Sequence, residues 1–153
     1  MIEAHLQKLG IDLPISSAPI ASYVPFVKVG ALVFISGQIT SWNGELKYIG
    51  KIDHGITVEE GQEASRICAL NILAQLKMAC EGDLNRVVRC VRLGGFINCT
   101  DDFKDQSKVM NGASDLIISI FGEKGKHARA AVGVNALPYG VAVEMDAIFE
   151  VKE

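Results

Sequence analysis

Residues 141–152 have the sequence VAVEMDAIFEVK, in which apolar and charged side chains alternate over most of the run. Successive side chains of a β-strand point to opposite faces of the sheet, so a period of two predicts a strand with one buried and one polar face. The apolar positions are Val141, Val143, Met145, Ala147, Phe149 and Val151, and the charged positions are Glu144, Asp146 and Glu150. We therefore expect a half-buried strand here.

Runs rich in β-branched and aromatic residues predict further strands before this one. They cover residues 23–29 and 32–36, which would form a hairpin, and residues 46–52, 87–98 and 128–136. Gly94 and Gly95 predict a bulge within the run at 87–98, because paired glycines in a strand often mark an irregular position.

Helical signals occur in three places. Thr57 and Glu60 form a capping box, which predicts a helix that continues to Cys80. Apolar residues at three- and four-residue steps over 109–121 predict a second, amphipathic helix. A short helix is expected within residues 1–13, followed by an exit loop rich in Ser and Pro.

The order β-β-(β)-α-β-α-β-β predicts an α+β sandwich in which two helices pack on one face of a mixed β-sheet. All 153 residues are expected to form a single domain, with an N-terminal extension over residues 1–22 and a core over residues 23–151. Two helices cannot cover both faces of the sheet. We therefore expect a second subunit to cover the other face.

The composition excludes several classes of function. The net charge is −3, and no block of like charges suggests a nucleic-acid partner. The three histidines are isolated, and the four cysteines contain no Cys-x-x-Cys pair, so we expect reduced thiols and no metal site. We find no signal peptide and no apolar run long enough for a membrane span, which predicts a cytoplasmic protein.

Glu144 and Arg129 are the candidates for chemistry. Glu144, between two apolar strand residues, is either exposed on a solvated face or held in a pocket where burial tunes its pKa. Arg129 is flanked by Ala128 and Ala130, which leave room for a ligand beside a guanidinium whose planar fork suits a carboxylate. A salt bridge at an interface would explain this arginine equally well.

Four short motifs together resemble the Rid (YjgF-like) family, from about Tyr23 to Val151. They are FISGQI at 34–39, AR at 128–129, LP at 137–138 and VEMDAI at 143–148. The resemblance implies a chorismate-mutase-like fold and a homotrimer with a central barrel and clefts between subunits. It also implies a RidA-like activity, the hydrolysis of reactive 2-imino or 2-enamino acids to 2-oxo acids and ammonia, with no cofactor.

The resemblance also implies roles for individual residues. Arg129 matches the arginine that binds the substrate carboxylate, and Glu144 matches the acid that positions the hydrolytic water. The other positions that match the substrate-binding cleft are Tyr23, Ser36, Gly37, Ala131 and, on a segment that is longer here, Asn111.

Two departures from the family pattern indicate a divergent subgroup. His127 stands where proline is common, and Ala131 stands where many members have a cysteine. The fold therefore transfers more safely than the activity. The alternatives are a non-catalytic regulatory trimer that binds small carboxylates, and an endoribonuclease, a label often attached to the family. The acidic charge balance argues against RNA binding.

Overall fold

The structure is a computed structural model that describes residues 1–16 and 22–153. Much of the predicted Ser- and Pro-rich exit loop lies outside the described residues. The helices are α1 (Ile2–Lys8), α2 (Val58–Ala79) and α3 (Gln106–Phe121). The strands are β1 (Phe26–Val29), β2 (Leu32–Gln38), β3 (Ser41–Trp42), β4 (Glu45–Leu46), β5 (Lys51–Ile52), β6 (Gly55–Ile56), β7 (Val87–Asn98), β8 (Ala128–Val134) and β9 (Val143–Val151).

Five strands form one mixed sheet in the order β1-β2-β9-β7-β8. Only β7 and β8 are parallel within this sheet, and the other neighbours are antiparallel. The central strand is β9, the one predicted from the alternating run. Its odd-numbered side chains are buried and its even-numbered ones are partly exposed, which confirms the predicted period of two.

Helices α2 and α3 both pack on one face of the sheet, which we call the helix face. The predicted capping box begins α2, since Thr57 Oγ1 accepts from the amide of Glu60 and Glu60 Oε1 accepts from the amide of Thr57, both at 3.1 Å. The two helices approach closely at Gly112, where a Cβ atom would collide with the backbone carbonyl of Gln62. The predicted α+β architecture is therefore confirmed.

The opposite face, which we call the open face, is bare in the single chain. Val27, Val29, Phe34 and Val132 lie on it and are 40 to 60% exposed. That a second subunit covers this face stays a prediction. The described helices include none with the length and hydropathy that crossing a membrane requires.

Two local predictions were wrong. Residues 46–52 do not form one strand, because Tyr48 and Gly50 adopt positive φ angles of 50° and 137° and separate β4 from β5. Gly94 and Gly95 do not form a bulge, since β7 shifts register before residue 92 and pairs regularly after it. A Cβ atom at Gly94 would collide with Asp146, and one at Gly95 would collide with Met110, so both glycines provide space instead.

Candidate active site

Glu144 lies on β9 and points to the open face beside a bulge in β2. Ile35 pairs with Ala147 and Gln38 pairs with Met145, so two residues of β2 oppose one residue of β9. The bulge brings the Gly37 backbone against the Glu144 carboxylate, where a Cβ atom on residue 37 would overlap Oε2. The carboxylate therefore has room only because residue 37 is a glycine.

Burial and a neighbouring charge both raise the pKa of Glu144 above its ordinary value of 4.5. Partial burial is the larger cause, because desolvation penalises the charged carboxylate, and the negative charge of Asp146 adds to it. Asp146 is itself 3.5 Å from Arg92 Nη1, in an ion pair that is partly exposed to solvent. A carboxylate with a raised pKa is a better proton acceptor near neutral pH.

Ser36 connects β2 to the segment that carries Tyr23. Its amide donates to Pro25 O at 2.9 Å, and its Oγ donates to Val24 O at 2.6 Å. These bonds attach residues 24 and 25 to the bulge, and the preceding residue, Tyr23, is 49% exposed. Because the hydroxyl proton of Ser36 is engaged, its oxygen can only accept from a ligand. We call Tyr23, Ser36, Gly37 and Glu144 the glutamate half-site.

Arg129 lies on the edge strand β8 and points to the helix face. It pairs with Leu93 of β7, which is fully buried under the helices. Its Nη1 donates to Ser114 Oγ at 3.0 Å and its Nη2 donates to Ser107 O at 3.2 Å, and both partners belong to α3. These bonds use two of the five guanidinium hydrogens, which leaves three for a ligand.

Asn111 and Ala131 are close to Arg129. Asn111 is exposed and lies between Ser107 and Ser114 on one side of α3, since residues three and four apart share a helix face. Ala131 points to the helix face of β8 like Arg129, because it pairs with Gly95 two positions further along. We call Asn111, Arg129 and Ala131 the arginine half-site.

The two half-sites lie on opposite faces of the sheet in one chain. Glu144 pairs with Phe96, and Phe96 pairs with Val132, so these three positions share the open face. Arg129 is three residues from Val132 on β8, which adds a separation of about 10 Å along the strand. A single chain therefore does not bring Arg129 and Glu144 together, and a site that contains both requires two chains.

The sequence predictions do not include Ser114, whose side chain contacts Arg129, or His127, whose ring contacts Ser114. Ser114 Oγ bonds to both Arg129 and the Nε2 atom of His127, the latter at 2.9 Å. Ser107 and Ser114 are seven residues apart, a spacing that could have indicated a shared helix face. In the sequence alone, His127 is distinguished only by standing where the family pattern commonly has proline.

Three further features concern a groove on the open face, the capacity to bind metals and the state of the cysteines. A groove of about 270 Å³ lies on the open face, and its lining includes Ser36, Phe34 and the Arg92–Asp146 pair. Within residues 1–16 and 22–153, no group of three or more His, Cys, Asp or Glu side chains is placed to hold a metal ion. All four cysteines are free and buried, as predicted, and burial raises the pKa of Cys90 to about 12.

Comparison with known proteins supports one family. A family described as "YjgF/chorismate_mutase-like, putative endoribonuclease" matches residues 3–145. Protein TCP17 of Trypanosoma cruzi is 48% identical over 150 residues, which are 97% of this chain and 93% of that protein. The protein Atu1372 of Agrobacterium tumefaciens, described as having unknown function, has a TM-score of 0.92 and 43% identity, with 99% of this chain and 92% of that chain covered.

Further structures share the fold at different similarities. A Shewanella oneidensis protein described as "a putative endoribonuclease" has a TM-score of 0.95 and 35% identity, and 99% of each chain is covered. RidA of a Psychrobacter species has a TM-score of 0.60 and 27% identity, covering 89% of this chain and 94% of that one. Escherichia coli TdcF, solved with bound serine, has a TM-score of 0.65 and 24% identity, covering 90% of this chain and 94% of that one. The chain therefore belongs to the YjgF/chorismate-mutase-like family, to which the Rid proteins also belong.

Proposed function

We propose that the protein hydrolyses reactive 2-imino acids, and their 2-enamino tautomers, to 2-oxo acids and ammonia. The reaction would occur in clefts between the subunits of a homotrimer, where Arg129 of one chain faces Glu144 of the next. The observation that carries this proposal is the separation of two complementary half-sites on opposite faces of one sheet. One offers a receptor for a carboxylate and the other offers a base.

The arginine half-site suits the carboxylate that every 2-imino acid carries. Arg129 has three hydrogens left after its bonds to Ser107 and Ser114, enough for a two-point contact with a carboxylate. Arg129 is partly exposed and lies on the edge strand β8, so another chain could reach the guanidinium. The small side chain of Ala131 leaves space beside it for the rest of the substrate.

The glutamate half-site suits the attack of water on the imine carbon. The Glu144 carboxylate would take a proton from water as the oxygen bonds to that carbon and the C=N electron pair moves to nitrogen. That proton passes to the nitrogen, and the hydroxyl proton of the tetrahedral intermediate follows it through Glu144. The C=O bond then forms as the C–N bond breaks and ammonia leaves. Ser36 Oγ, whose own proton is engaged, would accept a hydrogen bond from the water or the leaving ammonia.

The assembly can be tested directly by light scattering at micromolar concentration. We expect a mass near three times the 16.5 kDa of the chain, because trimer formation would cover the apolar open face. A monodisperse monomer would leave the half-sites apart and would overturn the proposed cleft.

The activity can be tested with freshly generated 2-iminopropanoate, using lactate dehydrogenase to detect the 2-oxo acid. The wild-type protein should accelerate hydrolysis above the background rate. Arg129→Lys keeps the positive charge but loses the planar fork of the guanidinium. We therefore expect kcat/KM to fall by roughly one to three orders of magnitude, which corresponds to a loss of about 2–4 kcal/mol of transition-state stabilisation. Glu144→Gln should lower kcat on the order of a hundredfold while carboxylate binding is retained.

The matched control for these two variants is Glu150→Gln, at the other end of the polar side of β9. It should leave both kinetic constants unchanged. If Glu144→Gln is as fast as the wild type, the carboxylate is not the base. If Arg129→Lys changes neither binding nor turnover, the arginine is structural and the substrate binds elsewhere.

Two alternative functions give different results in the same preparation. A regulatory binder would bind small carboxylates, as expected of the arginine half-site, but would not accelerate imine hydrolysis. A ribonuclease, the activity named for the family and for the Shewanella relative, would degrade RNA on a gel. The net charge of −3 disfavours the ribonuclease, since RNA binding normally depends on cationic contacts.

A further inference from the structure

Arg129 is the end of a chain of hydrogen bonds that starts at a tight turn. The ring of His127 contacts Gly125 O through Nδ1 at 2.5 Å and Ser114 Oγ through Nε2 at 2.9 Å. Ser114 Oγ in turn lies 3.0 Å from Arg129 Nη1. None of these three side chains is fully exposed, and Ser114 is only 7% exposed.

The chemistry of the partners assigns a direction to each bond. A carbonyl oxygen can only accept, so the Nδ1 atom of His127 carries a hydrogen and donates it to Gly125 O. In the neutral ring, Nε2 then has a free lone pair and accepts the hydroxyl proton of Ser114. The oxygen of Ser114 is left as an acceptor for Arg129 Nη1. In this arrangement each of the three hydrogen bonds in the chain has one donor and one acceptor.

The turn that starts the chain is rigidly placed against α3. Residues Gly122–Gly125 form a single 3-10 turn directly after α3. A Cβ atom at Gly125 would lie 2.6 Å from Ile117 O and 2.9 Å from Ile118 Cα, so the backbone of the turn is in direct contact with the helix. The carbonyl of Gly125 is therefore a fixed point from which the ring of His127 can be oriented.

A long side chain on an edge strand needs such a support. Among the described residues, β8 has a strand neighbour on the side of β7 alone. Four torsion angles separate the guanidinium of Arg129 from the backbone. Fixing these torsion angles costs conformational entropy. If hydrogen bonds within the protein already fix them in the free state, the ligand does not have to offset that cost when it binds. A guanidinium already held in one orientation also presents its remaining hydrogens in a defined direction.

We propose that Ser114 and His127 are positioning residues, which orient the guanidinium of Arg129 for the substrate carboxylate. This inference rests on the proposed function, because it assigns Arg129 to carboxylate binding. Neither residue contacts the reacting atoms. Their loss should therefore weaken carboxylate binding and raise KM more than it lowers kcat.

Two substitutions of His127 separate the two contacts of its ring. In His127→Asn the amide nitrogen can replace Nδ1 toward Gly125 O, but the side chain is too short to reach Ser114. In His127→Gln the amide oxygen can replace Nε2 as the acceptor for Ser114. We expect Asn to weaken binding on the order of tenfold and Gln to restore most of it.

Ser114→Ala removes the central contact without opening a large cavity. The matched control is Ser119→Ala, on the same helix, since Ser119 Oγ donates to Leu116 O at 2.7 Å and has no bond to Arg129. Binding of 2-oxobutanoate is measured by calorimetry, and KM and kcat by the imine assay. Ser114→Ala should resemble His127→Asn, and Ser119→Ala should resemble the wild type.

The possible results distinguish this inference from the proposed function. If the wild type neither binds 2-oxobutanoate nor hydrolyses the imine, the proposed function is wrong, and the inference drawn from it is wrong too. If the wild type binds but Ser114→Ala and His127→Asn bind equally well, only the positioning role is wrong. Nitrogen-15 NMR of His127 tests the hydrogen-bond chain in the unmodified protein, even if the variants do not fold. A ring with its hydrogen on Nε2 would contradict the assigned chain.

Discussion

Mixing two inactive variants should restore activity if Arg129 and Glu144 act across an interface. One variant, Arg129→Ala, keeps the glutamate half-site, and the other, Glu144→Gln, keeps the arginine half-site. The two residues lie on opposite faces of the sheet, so each chain contributes its half-sites to two different clefts. A cleft with both native residues then forms wherever the two kinds of chain meet in the correct order.

The expected magnitude follows from counting clefts in a ring of three subunits. A mixed trimer contains two chains of one variant and one of the other, and its three interfaces comprise one like pair and two unlike pairs. Of the unlike pairs, one joins both substituted residues and the other joins both native residues. Every mixed trimer should therefore have one intact cleft in three, and about one third of the wild-type activity.

The assay requires coexpression with two different affinity tags, followed by purification on both tags in succession. The imine assay then compares the mixed trimer with each parent. The control is Arg129→Ala/Glu144→Gln coexpressed with wild-type chains, in which trimers with only one wild-type chain should be inactive. Mixed trimers no more active than their parents would refute a shared site, provided that their mass is that of a trimer.

Three further predictions concern the glutamate half-site and metals. Gly37→Ala should leave the fold intact but lower kcat at least tenfold, because its Cβ displaces the movable Glu144 carboxylate. Melting temperature and kcat measure this, and Gly37→Ala added to Glu144→Gln should cause no loss beyond that of Glu144→Gln alone. Burial and the charge of Asp146 raise the pKa of Glu144, so a profile of kcat against pH should show kcat falling as the pH drops through a value above 4.5. Asp146→Asn removes the neighbouring charge and should move this fall to lower pH. The control Glu150→Gln should leave the profile unchanged. Dialysis against a strong chelator should change neither melting temperature nor kcat, and loss of activity together with stoichiometric zinc would contradict this.

The raised pKa of Glu144 also determines how this residue affects stability. Between the ordinary value of 4.5 and the raised value, the folded state binds more protons at this carboxyl than the unfolded state does. Stability from this residue therefore decreases as the pH rises through that window. It follows that the ionised carboxylate is unfavourable to folding at neutral pH. A carboxylate retained there at the expense of stability is what the proposed catalytic role of Glu144 would require.

Local signals in the sequence were sufficient for the main elements of the fold. The alternation over 143–151 predicted β9, and the capping box at Thr57 and Glu60 predicted the start of α2. Both signals depend only on neighbouring residues and on the burial of one face. The prediction for residues 46–52 was wrong for the opposite reason, because contacts distant in sequence shape this segment. The amide of Gly50 donates to Gly140 O at 2.8 Å and Tyr48 O accepts from the amide of Ala142 at 2.9 Å, while Tyr48 and Gly50 have positive φ angles.

The relative placement of Arg129 and Glu144 could not be predicted in the same way. Strand β8 has the sequence ARAAVGV, whose small residues occur on both faces and give no contrast between a buried and an exposed side. Only its register with β7, which pairs Arg129 with Leu93, assigns the arginine to the helix face. The contact between His127 and Ser114 depends likewise on the packing of a turn against α3, which no local pattern encodes.

The division of the site gives its two halves independent structural support. The glutamate half-site is formed by the bulge of β2 and by β9, whereas the arginine half-site is formed by α3, β8 and the turn that precedes β8. A change at Ala131 or Asn111 alters the space around the substrate without moving the Glu144 carboxylate. In the proposed mechanism, substrate range can therefore change on one side of the sheet while the proposed water-activating carboxylate on the other side keeps its position. This is a physical reason why the fold of such a protein is easier to infer than its substrate.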